Sequence, residues 1–136
     1  MNWLVKEEPT HYGFDEFMKD GKAAWSGVRN ALAQRHLRAV HKGDRLFYYH
    51  TGDERAVVGT AKAVSGPYPD PEDASGKYVA VDIAPVRRLP RPVTLAEIKA
   101  DPAFADFPLV RIARLSVMPV TDAEWSRIEA MATGTR

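Results

Sequence analysis

The sequence predicts an α+β fold, mostly β, in which a small β-barrel carries short peripheral helices. Three observations point there: a run of short strand-like segments through the middle of the chain, turn residues between them, and two capping boxes that mark where short helices start. The 136 residues suit one domain, 1–136, with a single core.

Taken in order, Asn2 to Lys6 reads as a strand, because large and β-branched residues follow one another until Pro9 forbids further ladder bonding. A turn region follows. Phe14, Phe17 and Met18 then hold the i, i+3, i+4 spacing of one helix face, with Gly21 as the stop. Asn30 to Val40 is a better helix, carrying Ala31, Leu32, Ala33 and Leu37, with Asn30 where an N-cap stands and Lys42-Gly43-Asp44 at its end. Arg45 to His50 is an aromatic strand dense enough to be buried on both faces.

After the turn at Thr51-Gly52-Asp53-Glu54, Ala56 to Val64 is the hairpin partner, and Gly59 in its middle marks either a bulge or a close approach to the backbone. Ser65 to Lys77, rich in Gly and Pro, reads as a mobile surface loop. Tyr78 to Val86 alternates with the period of a half-buried strand that stops near Pro90 and Pro92. Thr94 with Glu97, and Thr121 with Glu124, form the capping boxes; between them Leu109 to Val120 reads as a turn or helical end and a last strand. The strands of the middle are expected to pair consecutively and antiparallel.

Composition excludes several classes. No apolar run reaches the roughly 18 residues of a membrane span, and no basic leader precedes Trp3, so a cytoplasmic protein without membrane attachment is expected. With no cysteine, disulfides, thiolate nucleophiles and cysteine-bearing metal sites are absent. The four histidines are scattered, with no H-E-x-x-H pairing, and no phosphate-loop, dinucleotide or nucleophile-elbow motif occurs. The expectation is a protein with no cofactor, no metal and no recognisable catalytic motif. Nineteen basic against eighteen acidic side chains, a net charge of +1, give no general attraction for nucleic acid, so any such partner must be held by a local site.

Two short strings stand out. Lys6-Glu7-Glu8-Pro9 sets a cation and carboxylates at a strand end. Trp25-Ser26-Gly27-Val28-Arg29-Asn30 sets an indole before a glycine and a helix start, which suits a nucleobase: a flat ring to stack on, an amide that both donates and accepts, and helix N–H groups. Each residue also has a plain structural reading. Asn30 serves equally as an N-cap, Trp25 and the Phe47 to Tyr49 run as core, Lys6 with Glu7 as a strand-end ion pair, and His50 as the end of its strand.

Trp3-Leu4-Val5-Lys6, Glu8-Pro9, Trp25 with Gly27-Val28-Arg29-Asn30, Leu37-Arg38-Ala39-Val40 with Gly43-Asp44, and Phe47-Tyr48-Tyr49-His50 together resemble the EVE domain family. Val58-Gly59, Tyr68-Pro69-Asp70, Val81-Asp82-Ile83, Leu109-Val110-Arg111 and Arg114-Leu115-Ser116-Val117 continue the resemblance, which spans residues 2 to about 130. It implies a thymocyte-nuclear-protein-like domain of the PUA-like superfamily, related to YTH domains, that reads a modified base in an aromatic-lined pocket. Carried over by position, Trp25 is the stacking wall, Asn30 an edge-reading amide, and Lys6, Tyr49, His50 and Ser116 pocket lining.

Glu7, Ser26 and Val28 complete the expected pocket, with Arg29, Arg35, Arg111 and Arg114 for the nucleic-acid backbone. The expected partner is a nucleic acid containing a modified base, or a modified nucleoside, bound by a monomer. Glu7 departs from the family, many members of which carry Ser there, and a carboxylate at that place penalises an anionic base. The competing reading is a small hydrolase or deacylase of modified nucleosides using Lys6 with Glu7 or Glu8.

Overall fold

The structure, a computed structural model, describes residues 1–134. Its strands are β1 (Asn2–Glu7), β2 (Ala23–Trp25), β3 (Arg45–His50), β4 (Ala56–Ala63), β5 (Tyr68–Pro69), β6 (Val79–Thr94) and β7 (Val117–Val120). Its helices are α1 (Pro9–Tyr12), α2 (Phe14–Asp20), α3 (Ala31–Arg38), α4 (Leu95–Ala100), α5 (Pro108–Arg111) and α6 (Asp122–Ala132), with a 3₁₀ turn at Pro102–Phe104. The strands lie in the order β2-β6-β4-β3-β1-β7, with β5 paired to β6, in a mixed sheet that curls into a half-barrel.

The antiparallel pairing expected of the middle strands holds for β3 with β4 and for β4 with β6, and the first strand joins them differently. β1 pairs parallel to β3, Lys6 beside Tyr49 and Glu7 beside His50, while β7 flanks it antiparallel. The long stretch through α1, β2 and α3 supplies the crossover that a parallel pair requires, and places β1 and β3 in the middle of the sheet. Both strands are consequently buried on both faces.

The pleat then sorts neighbours. Val5 and Tyr48 point to the face covered by α2 and Trp25, where Phe17 stacks on Tyr48 at 5.2 Å and Phe14 meets it edge-on at 5.3 Å. Phe47 points to the other face, stacked on Trp125 of α6 at 3.7 Å. Gly59 is both things its sequence allowed: β4 has register irregularities on either side of it, and a side chain there would overlap the Phe14 ring. Met18 was expected on the buried face of α2, yet it is exposed, because Phe14 and Phe17 already fill the contact with Tyr48.

β6 runs on through Pro85, Pro90 and Pro92 to Thr94, where a shorter strand was expected. Beyond Ile83 its far edge is not paired to β2, so these prolines remove no ladder bond there, and bulges against β4 absorb the irregularity. Both capping boxes form as read, with Thr94 and Glu97 opening α4 and Thr121 and Glu124 opening α6.

Candidate nucleic-acid interface

Trp25 ends β2 opposite Val81 and meets Tyr48 edge-on at 5.5 Å. The residue is 7% exposed and lines a hollow of about 520 Å³ with His11, Tyr12, Ser26, Gly27 and Glu72 and the other residues of β2. The volume falls within the range of about 300–1,000 Å³ usual for small-molecule sites. After Trp25 the chain turns at Gly27, φ 76°, a left-handed conformation that glycine adopts without strain.

The turn is held by a residue that sequence reading passed over. Asp70, 2% exposed, accepts from the Gly27 N–H at 2.8 Å, from the Glu72 N–H at 2.7 Å and from the Arg29 guanidinium at 3.0 Å. Burial pushes its carboxyl up, but these donors outweigh that and hold it below the ordinary range. The segment expected to be a mobile loop is thus fastened to the Trp25 turn, and it also contributes β5 and a hydrogen bond from Ser26 to Glu72. The sequence held two signals for this, the family string Tyr68-Pro69-Asp70 and an aspartate between prolines, and the second reads first as a turn former.

Arg29, proposed for backbone contact, is held by Asp70 and lies over the Tyr78 ring at 4.6 Å. Asn30 is exposed and caps α3, its side-chain oxygen accepting from the Ala33 N–H at 2.9 Å; of its two readings the structure realises the cap. The Val28 side chain is in the core, and its carbonyl accepts from the buried Gln34 at 2.7 Å. Gln34 also exchanges hydrogen bonds with Val79, which ties α3 to β6.

The remaining residues divide between the two faces of the β1–β3 pair. Glu7 lies on the Trp25 side, 3.1 Å from His11 Nδ1. His50 Nε2 accepts from the Phe14 N–H at 3.1 Å, so its proton sits on Nδ1, 2.7 Å from Glu54; it is a spacer beneath α2 rather than part of the hollow's lining. Lys6 and Tyr49 lie on the opposite side, lining a second hollow of about 280 Å³ with Arg55, Lys99 and the apolar Leu95, Leu109 and Val110. The Lys6 ammonium donates to the Ala113 carbonyl at 2.9 Å and stands 5.7 Å from the Tyr49 ring; partial burial lowers its pKa. Ser116 is half-buried, and its carbonyl accepts from the Lys6 N–H at 3.0 Å.

The expected pocket is therefore two hollows flanking the ends of one strand pair. Adjacent strand residues point to opposite faces, so Lys6 with Glu7, and Tyr49 with His50, cannot share a cavity. The same geometry separates Lys6 from Glu7 as a catalytic couple, and Glu8 is turned toward the α1 N-terminus. Arg35 on α3, Arg111 at the end of α5 and Arg114 are all exposed, with Arg111 3.4 Å from Asp106. Among the described residues no group of His, Asp and Glu is placed to hold a metal ion, and no helix is long and apolar enough to cross a membrane.

The family model of the EVE domain matches residues 1–131. Human thymocyte nuclear protein 1 is 27% identical over 91% of this chain and 70% of its own length, and the chicken counterpart is 34% identical over 91% and 65%. Among solved structures, a Rhodopseudomonas palustris protein superposes with a TM-score of 0.93 at 45% identity, covering 99% of this chain and 94% of that one. Human thymocyte nuclear protein 1 in complex with DNA containing 5-methylcytosine superposes with a TM-score of 0.87 at 27% identity, covering 96% of each chain. An ASCH protein of Zymomonas mobilis, 12% identical with a TM-score of 0.58 over 96% of this chain and 94% of that one, shares the PUA-like fold.

Proposed function

The chain belongs to the EVE domain family, and from that premise we propose that it binds nucleic acid by taking a modified nucleobase into the Trp25 hollow. The observation that carries this reading is the indole packed edge-on against Tyr48 beside an open cavity that the polar His11, Tyr12, Ser26 and Glu72 also line. A relative crystallised with 5-methylcytosine-containing DNA supports it.

In this reading the part of Trp25 that lines the hollow supplies stacking, worth about 1–3 kcal/mol per base, and discrimination comes from the edges. Ser26 and Glu72 take the role the sequence had suggested for Asn30. A carboxylate accepts hydrogen bonds from the exocyclic amine of cytosine or adenine, and thymine has no such donor. Extruding a base costs a few kcal/mol in a duplex and little in a single strand, so single-stranded RNA or DNA is the favoured form. The protein acts as a reader, not a catalyst, working as a monomer in the cytoplasm; the opposite projection of Lys6 and Glu7 supports the first point.

The test is binding of oligonucleotides with and without one 5-methylcytosine, followed by fluorescence anisotropy. Trp25→Ala is expected to weaken binding by about 5- to 150-fold, the stacking energy expressed as an affinity ratio. An affinity unchanged in a folded Trp25→Ala variant would refute the site.

A further inference from the structure

The second hollow has a different chemistry from the first. Its floor is Lys6, half-buried over Tyr49, and its rim carries Arg55 and Lys99, both exposed; no carboxylate lines it. Among the described residues none of the three cations is in an ion pair. Of the neighbouring carboxylates, Glu54 faces His50, Glu97 faces Arg91 and Glu8, beside Gly52, turns to the start of α1, while Asp53 borders Arg55 and Lys99 in an adjoining hollow. Arg55 is the one non-glycine among the described residues with a positive φ, 45°, and its carbonyl accepts from the Leu95 N–H at 2.8 Å, which fixes the turn that brings it to the hollow.

Unpaired cations converging on a partly apolar cavity form a site for an anion. Position narrows the anion. The hollow lies at the end of the β1–β3 pair, where the Thr51 N–H donates to the Glu7 carbonyl at 2.9 Å, and Glu7 reaches His11 on the rim of the Trp25 hollow. The two hollows thus border the same strand ends, on opposite faces of the pair.

We propose that the Lys6–Arg55–Lys99 hollow is a phosphate site that holds the backbone of the strand whose base enters the Trp25 hollow. The inference rests on the base-reading function, and it gives that site its polarity: base on the aromatic side, phosphate on the basic side. The separation also keeps phosphate away from Glu7, which points the other way.

The experiment measures binding of a single-stranded oligonucleotide carrying one 5-methylcytosine across a salt series, with wild type, Lys99→Met and the double variant Lys6→Met/Lys99→Met. Lys99 is exposed on α4, so the single variant reports even where the double one folds poorly. Loss of one phosphate contact is expected to reduce the slope of log affinity against log salt by about 0.7, the single-strand value per phosphate. The phosphate-free nucleoside 5-methyldeoxycytidine is expected to bind wild type and variants alike. An unchanged salt slope in both variants overturns the proposal. A reduced slope in these variants, with Trp25→Ala binding normally, sustains the phosphate site and removes the base reading instead. Inorganic phosphate that binds wild type as tightly as the oligonucleotide, at the same residues, assigns the hollow to a free anion and overturns the strand assignment.

Discussion

The two faces of the β1–β3 pair are built from consecutive residues, yet they hold opposite chemistries. The Trp25 face is a packed aromatic cluster tied down by a buried carboxylate and bordered by an open hollow; the Lys6 face holds a smaller cavity lined by cations that form no ion pair among the described residues. Tyr48 shows the character of the first: burial, with the nearby Glu7, pushes its phenol well above the ordinary range, and its hydroxyl donates to the Tyr12 carbonyl at 2.6 Å. Lys6 shows that of the second, since burial lowers the pKa of an ammonium left without a carboxylate. The contrast teaches that one strand end can serve two ligand groups because the pleat alternates. The first face should carry stability along with recognition, the second recognition alone.

The largest effect expected from this contrast is at Gly59. A side chain there collides with the Phe14 ring, which is itself wedged against Phe17 and Tyr48, so Gly59→Val should cost about 3 kcal/mol in urea denaturation. A loss under 1 kcal/mol would mean that the aromatic face is looser than its packing implies.

Next comes Asp70→Asn, expected to cost about 1–3 kcal/mol at pH 7 by removing charge-assisted hydrogen bonds to Gly27, Glu72 and Arg29. The native carboxyl is depressed, so its contribution is complete above the unfolded value of about 3.9 and is lost as pH falls through the lower native value. The gap between variant and wild type should therefore close in acid, and melting curves recorded from pH 7 to 2 check it. The same variant should weaken modified-base binding and leave the salt slope of the Lys6 side unchanged.

The smallest effect is at Lys6→Met. A cation with a depressed native pKa costs stability while charged, so wild-type stability should rise as pH climbs from the native value toward about 10.4 in the unfolded chain. Lys6→Met removes that rise and should alter stability at pH 7 by less than about 1 kcal/mol, in the stabilising direction, because the apolar stem is kept and the charge penalty removed. A large loss in chemical denaturation would show that Lys6 is structural and that the two faces are alike after all.

What the sequence determined by itself was local. The capping boxes at Thr94 and Thr121, the Asn30 cap, the left-handed stop at Gly21 and the aromatic strand from Arg45 all depend on neighbours within a few positions, where spacing alone carries the information. The family motifs also mark Trp25 and Lys6, because each motif is a contiguous run of residues that one dimension contains in full.

Only the tertiary structure decided which of those residues meet. Nothing local to Val5 or Tyr48 encodes that β1 lies parallel to β3, yet that register sends Lys6 and Tyr49 to one hollow and Glu7 to the opposite face, beside His11 of the Trp25 hollow. Asp70 likewise closes on Gly27 across 43 positions, a contact whose energy comes from burial and from donors brought in by the fold. Pairing between distant segments is set by the sum of many weak contacts across the core, and no short window of sequence contains that sum.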